Sequence, residues 1–193
     1  TNTAGRIMGY QYDKDDRITQ VTSSTGARNT FSYDGNNNLT QVASGGQRIN
    51  TYAYDKADQL IEAKVGLDKV ASKTSYAYDS VGNITEITNG SGKKTRYSYD
   101  ELSNVVEKVS ALGDKTAYTY DADNRLKEVK QPNTKSIKYD YNKLDQLLKV
   151  DHSEKSDGSV LYTYDADGRR IAMSDLTGKT DYTYNDAGEI TGV

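Results

Sequence analysis

Hydrophobic positions in this chain follow one short pattern that repeats from end to end. Its first element is an aromatic residue, any residue, a tyrosine, then Asp or Asn. It occurs at Tyr10-Tyr12-Asp13, Phe31-Tyr33-Asp34, Tyr52-Tyr54-Asp55, Tyr76-Tyr78-Asp79 and Tyr97-Tyr99-Asp100. It continues at Tyr118-Tyr120-Asp121, Tyr139-Tyr141-Asn142, Tyr162-Tyr164-Asp165 and Tyr182-Tyr184-Asn185. The second tyrosines stand 20 to 24 residues apart, and all 17 tyrosines and the single Phe fall inside the motif. Beyond four intervening residues comes an apolar landmark: Ile18, Leu39, Leu60, Ile84, Val105, Leu126, Leu147 and Ile190. Three residues later comes a second: Val21, Val42, Ala63, Ile87, Val129, Val150 and Val193. Two repeats slip. Lys108 stands before Val109 in the fifth, and in the eighth Arg170 takes the first landmark, with Ile171 and Met173 carrying the apolar character.

Aromatics two residues apart share a face of a β-strand and do not share a face of a helix. The tyrosine element is therefore a strand. The three-residue spacing of the apolar landmarks breaks strict alternation; it fits either a bulge or a first landmark that belongs to the turn. Between the two elements lie turn formers such as Gly35-Asn36-Asn37-Asn38 and Ala166-Asp167-Gly168-Arg169, which tolerate positive φ and bond nearby backbone. The Asp or Asn that ends each tyrosine element (13, 34, 55, 79, 100, 121, 142, 165 and 185) reads as the residue that opens the turn. Each repeat is thus one β-hairpin, and residues 1–193 form a single array of about nine repeats and about 18 strands. One hairpin is marginal in water, so stability comes from stacked neighbours. The expected fold is all-β: a long, curved, spiralling antiparallel sheet, an open arc with packed rings on one side.

Composition sharpens this picture. Hydrophobic residues make up 34% of the chain, below the roughly 45–50% of a globular domain. A net charge of only -3 with 17 tyrosines does not fit disorder, which leaves an ordered but thin wall. With no Cys there is no disulfide framework and no cysteine metal or redox site. No apolar run approaches the roughly 18 residues of a membrane span. The opening Thr1-Asn2-Thr3-Ala4-Gly5 is not a signal peptide, so any export signal is expected outside this sequence. Basic and acidic residues alternate, which argues against nucleic-acid or membrane partners.

Several groups invite a chemical reading. Asp13, Asp15 and Asp16 cluster, and Asp121-Asp123 and Asp165-Asp167 resemble the start of a calcium loop. They lack the further ligands and downstream Glu of that loop, and solvated turn residues is the reading adopted, with no metal and no cofactor expected. Nine near-identical copies argue against one asymmetric catalytic site, so no catalytic residue is assigned. His152, the lone histidine, is expected in an exposed loop. Asn38, Asn83 and Asn89 begin glycosylation sequons, two of which arise from the repeat itself.

Tyr-x-Tyr-Asp-x-x-Gly-Asn-Ile-Thr, here Tyr76 to Thr85, resembles the YD repeat of the Rhs family, and Tyr118 to Leu126 is another close match. That family includes bacterial Rhs and wall-associated polymorphic toxins, shell components of insecticidal toxin complexes, and teneurins. The resemblance implies a sheet that spirals into a hollow shell, which in bacterial members encloses a C-terminal toxic polypeptide. The family's shell-terminating motif, rich in Asp-Pro and Gly, is missing, since the only Pro is Pro132. The expected role is a structural, non-enzymatic shell segment of a larger secreted, extracellular or cell-wall protein. Its partners would be the rest of the shell, an enclosed effector and, through exposed strand edges, other copies. The competing expectation is an extracellular carbohydrate- or protein-binding module, because tyrosine-rich sheets can stack sugars. Ring exposure separates the two.

Overall fold

The computed structural model describes residues 8–45, 48–67, 71–154 and 156–193. The N-terminal Thr1–Gly5 stretch and the turn residue Gly46 lie outside them. The described residues hold no helix and nineteen strands. In order these are β1 (Met8–Tyr12), β2 (Ile18–Ser23), β3 (Arg28–Tyr33), β4 (Leu39–Ser44), β5 (Arg48–Tyr54), β6 (Leu60–Val65), β7 (Ser72–Tyr78), β8 (Ile84–Thr88) and β9 (Lys94–Tyr99). They continue with β10 (Val105–Val109), β11 (Lys115–Tyr120), β12 (Leu126–Lys130), β13 (Ser136–Tyr141), β14 (Leu147–His152), β15 (Ser159–Tyr164), β16 (Arg170–Asp175), β17 (Gly178–Asp181), β18 (Thr183–Tyr184) and β19 (Ile190–Gly192). The chain divides into two compact units, Thr1–Tyr97 and Ser98–Val193.

Each unit is an antiparallel meander in which every strand pairs with the next in sequence. In the first, β1 to β9 follow one another. In the second, β10 to β17 do the same, and β18 and β19 form a separate two-stranded hairpin. The count exceeds two per repeat because the ninth tyrosine strand breaks at Tyr182, whose N–H donates to the Ile171 carbonyl at 2.9 Å.

The three-residue spacing of the apolar landmarks is a bulge. In β11–β12, Tyr118 faces Val129 and Thr119 faces Glu128, but Tyr120 faces Leu126, so Lys127 is the extra residue. The same shift occurs beside Tyr12, Tyr33, Tyr54, Tyr78, Tyr141, Tyr164 and Tyr184. One inserted residue turns an i, i+3 spacing into two side chains on a single face. Both landmarks thereby lie under the tyrosine rings. Residues of the other parity form the opposite face, where charge dominates: Glu86 meets Lys94 at 2.7 Å and Arg96 at 2.9 Å, and Glu62 pairs with Lys64 and Lys73.

The wall is thin. Among the described residues only the hydrophobic side chains of Ala63 (8% exposed) and Ala172 (6%) are buried. Most landmarks and rings are half-buried between neighbouring repeats. His152 is one correction: it ends β14 opposite Ile137 and is half-buried. It stands two residues from Val150, so strand alternation puts it on the tyrosine face before the polar insert begins.

Candidate functional site

The repeated turn is built by its first residue. In the sixth repeat, Asp121 Oδ1 accepts from the Asp123 N–H (3.0 Å) and the Arg125 N–H (2.9 Å). The Asp121 N–H donates to the Arg125 carbonyl, and the Asn124 N–H returns to the Asp121 carbonyl. Asn124 has φ 63°, which completes a three-residue hairpin loop with its last residue left-handed. Asp13, Asp34, Asp55, Asp79, Asp100, Asn142, Asp165 and Asn185 accept the same pair of backbone donors. The left-handed position is filled by Asp16, Asn37, Asp58, Gly82, Ser103, Asn124, Asp145, Gly168 and Gly188.

Four residues beyond the opener stands a side chain that sequence reasoning grouped with the turn and that has a second task. Arg125 donates Nε to Asp121 Oδ2 (2.8 Å) and then reaches into the next repeat. There its Nη1 donates to the Asn142 carbonyl (3.0 Å) and to Asp145 Oδ1 (2.7 Å), and its guanidinium lies 4.9 Å from the Tyr141 ring centroid. Arg17 makes the equivalent contacts with Asp13, the Asp34 carbonyl, Asn37 and the Tyr33 ring. Asn38 spans from Asp34 to Asp58, Asn104 from Asp100 to Asn124, and Gln146 from Asn142 to the Gly168 carbonyl. The signal was present in sequence as a polar residue always preceding the first landmark position. Its direction, donor in one repeat and acceptor in the next, needed coordinates.

The second tyrosine makes the reverse link. Tyr33, Tyr54, Tyr78, Tyr120, Tyr141, Tyr164 and Tyr184 each donate the phenol hydroxyl to a backbone carbonyl of the preceding repeat, at 2.7–3.0 Å. The acceptors are Ile18, Leu39, Leu60, Val105, Leu126, Leu147 and Arg170, which are the first landmarks. Where the bulge disturbs the ladder, a neighbour's tyrosine takes up the carbonyl, as a half-buried acceptor requires. The first aromatics of the motif (Phe31, Tyr52, Tyr76, Tyr97, Tyr118, Tyr139, Tyr162 and Tyr182) are half-buried on the same face. Tyr10 and Tyr12, on β1, are 50% and 56% exposed. Arg170 fits its slipped position by lying 4.7 Å from the Tyr182 ring centroid and 5.8 Å from that of Tyr162.

These contacts set the electrostatics. Desolvation works to raise Asp13 and Asp34, but hydrogen bonds led by the Arg17 and Asn38 backbones hold both below the ordinary carboxylate value. For Asp100, Asp121 and Asp165 the side-chain donors of Asn104, Arg125 and Arg169 are the main cause of the lowering. Burial raises the phenols of Tyr54, Tyr78, Tyr120 and Tyr141. The carboxylates that resembled calcium ligands hold guanidinium groups: Asp121 and Asp123 face Arg125, and Asp165 and Asp167 face Arg169. An open surface depression lies beside Arg17, Tyr33 and Gly35, where the guanidinium is already held by Asp13, Asp15 and Asn37. What the arrangement does is mechanical: within each unit it joins neighbouring repeats to one another.

Protein-family models agree with that geometry. The Teneurin YD-shell model matches residues 1–82, and the RHS Repeat model matches residues 78–116 and 120–156. The chain belongs to the YD/Rhs-repeat family. Among solved structures this YD-repeat chain is similar to a TcdB2-TccC3-Cdc42 crystal structure, with a TM-score of 0.63, 13% identity, and coverage of 96% of this chain and 12% of that one. TcdB2-TccC3 without its hypervariable C-terminal region gives a TM-score of 0.64 at 14% identity, over 95% of this chain and 12% of that one. The Photorhabdus luminescens Tc holotoxin pore gives 0.59 at 16% identity, over 95% and 13%. At such identities the likeness is one of fold, and the YD-repeat chain spans about an eighth of those chains. No curated protein sequence matches it.

Proposed function

We propose that this chain is a wall segment of a hollow β-shell, part of a longer secreted or surface YD-repeat protein whose shell encloses a C-terminal toxin or effector. The observation that carries this is how the tyrosines are used. Seven second-position hydroxyls hold the preceding repeat, and the rings around them are half-buried between repeats rather than presented as a free file for sugar stacking. The reaction-bearing side chains of the turns are likewise engaged by neighbours, which favours a scaffold over an enzyme. Likeness of fold to TcdB2-TccC3 structures adds support for a shell. The whole array, residues 1–193, would act as one continuous stretch of wall, with the rest of the shell and its cargo as partners.

The test is small-angle scattering and limited proteolysis of the full-length parent beside this chain. A hollow particle whose C-terminal segment resists protease until the shell is opened is the expected result. A solid particle with a protease-accessible C-terminal segment would overturn the proposal. Glycan-array binding by the isolated chain, abolished by changing exposed rings, would move the binding module ahead of it.

A further inference from the structure

We infer that the first unit carries a built-in seam between its third and fourth hairpins, where β6 and β7 part before the strands of the neighbouring junctions do. The three turn junctions of that unit differ in what crosses them. At the first, Arg17 donates to the Asp34 carbonyl and to Asn37, and its guanidinium lies over the Tyr33 ring. At the second, Asn36 and Asn38 donate to Asp58 Oδ1 at 2.8 and 2.7 Å. At the third the connector is Gln59, and among the described residues its side chain makes no hydrogen bond to either turn. Opposite it stands Gly82, left-handed at φ 96° and with no side chain to answer. Gln59 Nε2 lies 3.0 Å from the place a Cβ of residue 82 would take.

The opener explains why Gln59 is unbonded. The second unit holds the same pair, Gln146 and Gly168, with Gln146 Nε2 again 3.0 Å from the place of a Cβ. There the opener is Asn142, whose Nδ2 donates to Gln146 Oε1 at 2.6 Å and so turns Gln146 Nε2 to the Gly168 carbonyl at 3.1 Å. Asp55 is a carboxylate with no hydrogen to give, so nothing holds Gln59 Oε1 and the amide is left unaimed. Packing under the rings is also lightest here: the second landmark of β6 is Ala63, facing Thr74, where β2, β4 and β8 have Val21, Val42 and Ile87. The fair comparison is β4–β5. Both junctions pair four residues a side, and in both a tyrosine hydroxyl holds the first landmark's carbonyl, Tyr54 on Leu39 and Tyr78 on Leu60. They differ in the turn bonds and in Val42 against Ala63. The Glu62–Lys73 ion pair crosses β6–β7 on the charged face, but Lys73 is half-exposed and such pairs contribute little. Local opening starts where the contacts are weakest. The seam rests on the turn ladder and is independent of whether the wall encloses a cargo.

Native-state hydrogen exchange of the whole chain, read residue by residue by NMR, tests it. Amides bonded across β6–β7 are expected to exchange about tenfold faster than those bonded across β4–β5. Asp55→Asn gives Gln59 the partner that Gln146 has, and is expected to bring the two rates level. Gln59→Arg combined with Gly82→Asp recreates the Arg125–Asp145 pair and is expected to do the same through a different bond. Asp34→Asn sets amide hydrogens against Asn38 Nδ2, which now donates to Asp34 Oδ2, and is expected to speed exchange across β4–β5 while leaving β6–β7 unchanged. The same change of Asp to Asn thus acts with opposite sign at the two openers. Circular dichroism spectra matching wild type establish that each variant is folded. Equal protection at the two junctions of wild type, or folded Asp55→Asn and Gln59→Arg/Gly82→Asp variants that leave β6–β7 as fast as before, would overturn the inference.

Discussion

A tyrosine hydroxyl and a backbone carbonyl thrown out of its ladder by a bulge form the smallest working unit of this wall. Tyr141 Oη meets the Leu126 carbonyl at 3.0 Å, whereas among the described residues Tyr139 makes no such bond. Tyr141→Phe is expected to cost about 1 kcal/mol, the net worth of the bond plus its stranded acceptor. Tyr139→Phe should change the denaturation midpoint by only a few tenths of a kcal/mol. Equal losses would mean that the rings act by bulk alone. The pH dependence follows from opposite shifts in two residue types. The turn openers Asp13, Asp34, Asp79, Asp100, Asp121 and Asp165 are lowered in the folded chain, so their stabilisation is complete above the unfolded value of about 4 and fades as pH falls through the folded values. The phenols of Tyr54, Tyr78, Tyr120 and Tyr141 are raised, so their stabilisation is complete below about 10 and fades as pH climbs through the folded values. Melting midpoints should form a plateau between these limits and fall on both sides. Tyrosinate absorbance should show a component displaced upward from free tyrosine, lost in part from a Tyr141→Phe variant.

At the scale of elements, strand positions and turn openers could be read from sequence because period two and Asx chemistry are local. Where the extra residue of each bulge sits depends on which residue faces Tyr120 across the pair, and that is a property of two strands together. The reach of Arg125 into the following turn and the strand placement of His152 were hidden for the same reason. Loop backbone gives a sharper test. At the joint ends of the strands, Gly26, Gly92 and Gly113 hold left-handed positions, while the corresponding loop before β13 uses Thr134 with φ 69°. A β-branched residue there is strained. Thr134→Gly is expected to raise stability by up to about 1 kcal/mol, and Gly113→Ala to lower it by about the same. An added Cβ at Gly113 would meet nothing within 4 Å, so any loss measured in thermal denaturation is backbone strain. No change in either variant would mean the loops relax freely.

Viewed as a whole molecule, the chain spends its interactions on nearest neighbours, so its stability should behave as a sum over repeats. Deleting Ala122 to Asn142 joins Asp121 to Lys143 and restores a complete hairpin, with Asp145 in the left-handed place and Gln146 as connector. The shortened chain is expected to keep an all-β circular dichroism spectrum with a modestly lower unfolding free energy. Collapse of the fold would show that long-range closure, rather than neighbour contacts, governs it.

The lock described for the tyrosine turns also decides where such a protein can accept new sequence. Every tyrosine turn keeps the same four residues between motif and landmark, because one more would pull a connector away from its acceptor. The longer spacings of 24 and 23 residues instead arise between Val65 and Ser72 and between His152 and Ser159, at the opposite ends of the strands. One margin of the sheet is ruled and the other is blank. Epitopes, tags or fused domains grafted into the joints should leave the array intact, and lineages that diversify these proteins would be expected to write there first.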